Sequence, residues 1–557
     1  MNKNIIFYVF SFSVCILCGC QKNFLDQVPK DAITEEVVWG DPNVAQHFVN
    51  GIYGDMPSSF DRSYDGWAKG IYNLDGVTDD GDVCMPWTSS HRLQDANFLP
   101  SNSPFSNAWG IYFGLVRKAN LALVNLDKVP DQAVKNRLKG EAYFLRAFVY
   151  HDILRWYGMK SSGSEPTGVP IIDKPLTPQD NFQIPRSTYD QTVKFILNDL
   201  AQAETLLPRK SETEAGRATK GAVWALQCRV LLYNEQWGDA AAAAKKVMDA
   251  AQYSLFPDYR TLFLTKNNNE IIFAKKFQDP DKIHFQVNGG SWDVINSPRS
   301  FKGASDAGWG GTVPTQNFVD SYEMTDGLPQ STSPLFNPAK PFDNMDPRFY
   351  ASVVYNGSAF RGHVMEVYPG GADITGQPED SKSSYSTRKF HDERFPVYTK
   401  SGEQDWIFMR YAEVLLNYAE AQNEAVGPDA SVYKAINDIR QRPNIAAPPL
   451  PPGLSINMPP LPGGLSQSQM RDRIRNERRI ELAFEEHRFF DIRRWRIAES
   501  LLNNKPMYGL KINKVGNGFT YTRYTFDTRK FPPRMYVFPI PQSEIDKNPA
   551  LKQISGW

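Results

Sequence analysis

RNERRIELAFEEHRFFDIRRW, residues 475–495, sets six arginines and five acidic residues among phenylalanines, isoleucines and a closing tryptophan. Read as one helix, it places Ile480 and Phe484 on one side and Leu482, Phe489 and Ile492 on another, so neighbours are expected on both. The charges are expected to pair locally: Arg478 with Glu481, Glu485 with Arg488, and Asp491 with Arg488 or Arg494. A nucleic-acid surface would present unpaired cations on one face, whereas nearly every arginine here has an acid within reach. Catalysis by Glu481 and Glu485 would need a pocket that sets their pKa values apart, and both sit among arginines. The stretch therefore reads as scaffold, and the helices around it set the fold class.

Those helices are legible from periodicity. From Asp131 to Tyr157, the residues Leu138, Ala142, Leu145, Val149 and Ile153 recur at three- and four-residue steps, which makes one continuous apolar face. Further helices are expected at Ser187 to Leu206, Thr219 to Asn234 and Asp239 to Ala251, with Trp237-Gly238-Asp239 as a turn, then at Phe408 to Ala425 and Ser431 to Arg440. The pair ATKGAVWALQCRVLLYNEQWGDAAAAAKKVMDAAQY has the helix–turn–helix shape and small-residue packing of a tetratricopeptide unit. Paired helices in both halves suggest a mainly α, right-handed helical-repeat scaffold of about four helix pairs. Between them, residues 255–405 are poor in helical periodicity and rich in Gly, Pro, Ser, Asn and aromatics, which predicts a loop-rich subdomain with short strands such as EIIFAKKF. PPLPPGLSINMPPLPGGLS, residues 448–466, reads as a surface connector.

Composition narrows the function. Of 557 residues, 41% are hydrophobic and 22% charged, and the formal net charge is zero, so no global field gathers polyanions. Aromatic residues make up 13%, more than a core alone asks for, which leaves rings for recognition surfaces. The first residues carry Lys3 and an apolar run from Ile5 to Leu17; as a helix this run measures about 20 Å, too short to span a bilayer, and it reads as the apolar part of a signal peptide. Leu17-Cys18-Gly19-Cys20 follows in place of a small-x-small cleavage site and resembles the lipobox of bacterial lipoproteins. That resemblance implies removal of residues 1–19 and acylation of Cys20, where several chains at about 0.8 kcal/mol per methylene anchor the protein in lipid. Cys84 and Cys228 are then the only thiols left in the mature chain, too few for a metal site, with a disulfide between them left open.

Five segments in order extend the resemblance. Phe24-Leu25-Asp26-Gln27-Val28-Pro29 follows the lipidated cysteine, and YFLRAFVYHDILRWYGMK, RYAEVLLNYAEAQNEA with AINDIRQRPN, ERRIELAFEEHRFFDIRRW and FPIPQSEIDKNPALKQ come after it. Together they resemble the SusD/RagB family of outer-membrane lipoproteins of Bacteroidetes over nearly the whole mature chain. The resemblance implies an N-terminal region at 20–254, a C-terminal region at 255–557, and tetratricopeptide-like units cradling a loop-rich part. It also implies a cell-surface protein that captures nutrients, usually glycans, and delivers them to a SusC-like TonB-dependent transporter, with no catalysis and no cofactor. Gln21-Lys22-Asn23 departs from the acidic run often associated with surface export, so surface exposure rests on the family alone.

A sugar ring offers an apolar face and a rim of hydroxyls, so its site needs a flat aromatic beside amide, carboxylate or guanidinium groups on rigid loops. Residues 64–95 offer Trp67, Tyr72, Asn73, Asp82, Trp87 and Arg92; residues 285–315 offer Asn288, Trp292, Arg299 and Trp309. Trp87 leads the first set and Trp292 the second, while Trp109 is expected to be structural. Asp79-Asp80-Gly81-Asp82 lacks the full spacing of a calcium loop and reads as a solvated turn. The histidines show no metal spacing, and no nucleophile elbow, phosphate loop or dinucleotide fingerprint is present. Two other classes stay open: a glycoside hydrolase, which needs two carboxylates across a cleft, and a helical-repeat protein that binds only peptides or proteins.

Overall fold

The computed structural model describes residues 35–62, 73–161, 165–284, 292–303, 305–376, 378–399, 402–442 and 457–557; Cys20 and the lipobox lie outside them. Helices α1 (Pro42–Asp55), α2 (Ala108–Asn125), α3 (Gln132–Tyr157), α4 (Tyr189–Leu206), α5 (Lys220–Tyr233) and α6 (Trp237–Asp249) are followed by α7 (Tyr411–Val426), α8 (Ala430–Arg440), α9 (Gln467–Glu481) and α10 (His487–Arg494). From α2 onward each helix packs on the next through α6, and α7 then packs on α6, α8 and α9. The array is thus continuous in space across the 161 residues, 250–410, that separate α6 from α7 in sequence.

The helix starts carry their own stop signals for the preceding chain. Asp131 accepts from the Val134 N–H at 2.9 Å, and Thr188 with Gln191, and Ser466 with Gln469, close reciprocal capping boxes, each satisfying donors that the first turn leaves open. The apolar face of α3 does what its spacing predicts: Leu138, Ala142, Leu145 and Ile153 are completely buried. No helix among the described residues is long and apolar enough to cross a membrane.

The strands are paired in twos. The longer ones are β1 (Gly81–Val83), β2 (Ile271–Lys275), β3 (Thr312–Pro314), β4 (Trp406–Arg410), β5 (Lys505–Val515) and β6 (Gly518–Arg529), joined antiparallel as β1–β3, β2–β4 and β5–β6, and two-residue pairs join Val353–Val354 to Ser386–Thr387 and Ala359–Phe360 to His363–Val364. The β2–β4 pair is the seam where the loop-rich part leaves the helices and returns. Its Phe273 and Phe408 pack on Phe148 of α3 at 5.6 and 5.1 Å between centroids. Phe408 to Arg410, expected at the head of a helix, is therefore strand, and α7 begins one residue later.

The 475–495 stretch is not one helix. It breaks after Glu481, and Phe484 and Glu486 take left-handed backbone angles, φ +59° and +66°, which costs non-glycine residues energy and must be enforced from outside. The enforcement is ionic. Glu485 receives Arg410 (2.7 Å) and Lys389 (2.7 Å), and Glu486 holds Arg62. Glu481, expected to pair with Arg478, instead receives Arg410 and Arg442 at 2.8 and 2.7 Å and Arg348 at 3.1 Å, and these arginines keep its carboxyl far below the usual range against the opposing cost of burial. Arg478 turns to Asp491 at 2.9 Å, and only the Asp491–Arg494 pair forms as spacing suggested. Residues so deeply buried and paired hold the loop-rich part to the helices, and removing one partner of such a cluster costs about 3–5 kcal/mol.

Asp79 and Asp80 are not a solvated turn either. Both are buried. Asp79 receives Arg488 at 2.8 and 3.0 Å, and Arg479 bridges Asp79 and Asp80 at 3.0 and 2.6 Å. Burial opposes ionisation of Asp79, but Arg488 and Arg479 hold it below the usual carboxylate range. The acidic cluster and the arginine-rich stretch, far apart in sequence, are each other's counter-ions.

Candidate ligand platform

The two loop regions singled out by composition meet at the β1–β3 pair. Gly81 faces Pro314, Asp82 faces Val313 and Val83 faces Thr312, and the Cys84 N–H extends the ladder to the Gly311 carbonyl at 3.0 Å. On the far side, the N–H groups of Trp309, Gly310 and Gly311 bond to the carbonyls of Val294, Ser297 and Ile295 at 2.8, 3.0 and 2.8 Å. Val83, Met85 and Ile295 form a small apolar cluster under this junction, and the half-buried Trp309 packs on it.

Trp87 stands at the tip of the loop that follows β1 and is 55% exposed. The loop below it is closed on one atom, the Met85 carbonyl, which accepts from Thr88 N–H (3.3 Å) and Thr88 Oγ1 (3.0 Å), with His91 Nε2 at 3.3 Å. The Thr88 hydroxyl also meets Ser90 Oγ at 2.6 Å. An open indole on a braced loop is what capture of a flat apolar ligand face requires, because little order is lost on binding. Arg299 is exposed beside Gly310, whose positive φ of +67° disfavours a side chain and where an added Cβ would lie 2.8 Å from the Glu379 carbonyl and 3.1 Å from the Arg299 side chain. Arg92 is exposed but spends one guanidinium N–H on the Asn102 carbonyl at 2.8 Å.

Three candidates belong to the interior. Asn73 is fully buried; it caps the 3-10 turn Leu74–Val77, and its amide donates to the Phe484 carbonyl (2.8 Å) and Ser59 Oγ (3.1 Å). Asp82 is buried between Arg529 (3.0 Å) and Gln94 (3.1 Å). Trp292, 2% exposed, lies against Phe60 and Phe390 at 5.2 and 5.3 Å, inside the second apolar core. These are corrections: each side chain is buried within the protein and not open to a ligand. Trp109 is buried edge-on to Tyr157 as expected. Trp67, Tyr72 and Asn288 lie outside the described residues.

Composition did not point to Tyr524 of β6, half-buried next to the platform. Its hydroxyl donates to the Lys382 carbonyl, and Asp82 and Cys84 add to burial in raising its pKa. The turn Gly516-Asn517-Gly518 between alternating residues was the available hairpin signal. Cys84 and Cys228 are separate, buried thiols. The carboxylates of the 79–82 cluster are not free acids or bases: Asp79, Asp80 and Asp82 are all held by arginines. Among the described residues no group of three or more His, Cys, Asp or Glu is arranged to hold a metal.

Residues 269–557 match the model of the SusD family, and residues 24–232 match one described as starch-binding associating with outer membrane. A SusD-like protein of Bacteroides fragilis of known structure is 31% identical, with a TM-score of 0.79 over 95% of this chain and 100% of that one. A second B. fragilis structure, described as a SusD-like carbohydrate binding protein, is 25% identical with a TM-score of 0.78 over 93% and 100%. A SusD-like protein of Formosa agariphila is 24% identical over 92% of this chain and 95% of its own length. With the SusD family model matching more than half of the chain and a relative of 31% identity sharing its fold along almost the full length, this protein belongs to the SusD family.

Proposed function

We propose that the protein is a non-catalytic, glycan-capturing lipoprotein, anchored through acylated Cys20 at the outer membrane and facing the cell surface, which passes bound poly- or oligosaccharide to a SusC-like TonB-dependent transporter. The observation that carries glycan capture is Trp87, an indole with 55% of its surface open on a loop braced at the Met85 carbonyl. The exposed Arg299 offers a guanidinium for hydroxyls, and the half-buried Trp309, packed on the Val83–Met85–Ile295 cluster under the same junction, offers a second aromatic. Engagement of Asp79, Asp80 and Asp82 by arginines argues against hydrolysis here, since an acid–base pair must be free to exchange protons. Membership of a family with a carbohydrate-binding relative supports the ligand class. Anchoring and delivery rest on the lipobox and on the family.

The test is affinity electrophoresis of the purified protein, in non-ionic detergent, through gels containing a panel of polysaccharides, with reducing-end release assayed in parallel. Retardation by at least one polysaccharide without cleavage is expected. Cleavage would replace this reading with a hydrolase, and absence of retardation across both polymers and oligosaccharides would replace it with peptide binding. Loss of membrane retention in Cys20→Ser tests the anchor separately.

A further inference from the structure

A second concavity, of about 310 Å3, opens at the C-terminal ends of α3, α5 and α10, within the size range of small-molecule sites, about 300–1,000 Å3. Its lining holds five cations, Arg155, Lys160, Arg493, Arg494 and Arg496, against one carboxylate, Glu235. Three of these cations have counter-ions. Arg155 pairs with Asp152, Arg494 with Glu420 and Asp491, and Lys160 with Glu235 at 2.6 Å.

Arg493 and Arg496 have no carboxylate within ion-pair reach among the described residues. Arg493 is 8% exposed; its Nη1 donates to the Phe489 carbonyl at 2.7 Å and its Nε has no partner. The guanidinium lies 3.7 Å from the Phe489 ring centroid and 5.1 Å from that of Phe531. Those rings offset part of the desolvation but provide no counter-charge. Burial pushes the group down to about 9, which leaves it cationic at neutral pH. Arg496 is exposed, held by a left-handed backbone (φ +57°) with its guanidinium over Tyr536 at 4.8 Å.

Helix ends attract cations, with about half a negative charge at each C-terminus, and this explains why arginines gather here. Terminal carbonyls of all three helices already have donors, however: Gly158 N–H on Leu154, Lys160 Nζ on Asn234, and Trp495 and Arg496 N–H on Asp491 and Arg493. Among the described residues no carboxylate takes up the charge of Arg493 and Arg496. The walls add the rings of Tyr189 and Tyr233, apolar faces for a ring-bearing ligand.

We propose that this concavity binds an oxyanion carried on a sugar-sized ring, a carboxylate or a sulfate ester, with Arg493 and Arg496 taking the anion and the tyrosines flanking the ring. The site stands apart from the Trp87 platform and does not depend on it. Isothermal titration calorimetry of the full-length protein with glucuronate, galactose 6-sulfate, inorganic sulfate and glucose tests this. Binding of glucuronate or of galactose 6-sulfate, without binding of glucose, is expected, and whichever of the two binds tighter identifies the anion. Arg496→Gln, on an exposed side chain, is expected to weaken that binding about tenfold, the loss of one charge-assisted contact, with an unchanged melting temperature; Trp87→Ala is expected to leave it unaltered. Absence of binding by both charged sugars, equal binding of inorganic sulfate, or full binding by Arg496→Gln would each overturn the proposal.

Discussion

Trp87→Ala separates capture from folding, because the ring contributes to one and little to the other. A tryptophan offers up to about 250 Å2 of buriable surface, and 55% of Trp87 is open to solvent. A sugar face lying on it removes on the order of 100 Å2 from water, worth about 2.5 kcal/mol at about 25 cal/mol per Å2. Truncation should therefore raise Kd roughly 70-fold, while costing at most about 0.5 kcal/mol of stability, as at other exposed positions. Trp292→Ala gives the opposite pattern: the ring is 2% exposed among aromatic neighbours, and its loss should cost about 3–5 kcal/mol of folding free energy. The assay pairs affinity electrophoresis on the retained polysaccharide with urea denaturation of each variant. If Trp87→Ala binds within threefold of wild type, or about 1 kcal/mol or more of stability is lost with it, the ring is packing and the platform lies elsewhere.

Three further outcomes follow from the buried polar groups and one close contact. Asp75 is buried with its Oδ1 unpartnered, and burial, then Asp80 and Glu486, raise its pKa well above the usual value; its contribution is therefore complete below the unfolded value near pH 4 and is lost as pH rises through the raised one. Asp75→Asn should stabilise the protein in denaturation at pH 8 and have no stabilising effect at pH 3.5. Arg479→Met strands Asp80, leaving Arg488 3.8 Å away, and should cost about 3 kcal/mol in the same assay. At Gly509 an added Cβ would lie 2.6 Å from the Lys382 carbonyl and 2.7 Å from the Ser383 backbone, so Gly509→Ala should lower the melting temperature by several degrees, about 1–3 kcal/mol of overpacking.

The helical array was legible because its signals are local. Apolar spacing in α3 and the Thr188–Gln191 and Ser466–Gln469 boxes are written within a few residues of where they act. The break inside 475–495 was not legible, since no glycine or proline marks it. Arg410 and Arg62 impose it from distant parts of the chain. Asp79 and Asp80 were misread for the same reason: their partners lie about 400 residues on. At the candidate platform, aromatics in glycine-rich loops pointed to two segments that meet at the β1–β3 pair, but local sequence does not distinguish Trp87 from Trp292. Burial of the latter depends on Phe60 and Phe390, one on each flank of the chain.

The contact between Arg529 and Asp82 spans 447 residues, and it fixes β1, the strand that leads into the Trp87 loop. During synthesis or export, the chain must therefore be present almost to its end before this strand has its final support, and Asp82 remains a buried carboxylate in need of a cation until then. Long-range closures of this kind form late and slowly. A chain cut short before Arg529 would have most of its helices and still lack a fixed Trp87 loop, so under the proposed function ligand retention would act as a built-in report that the whole polypeptide has arrived and folded.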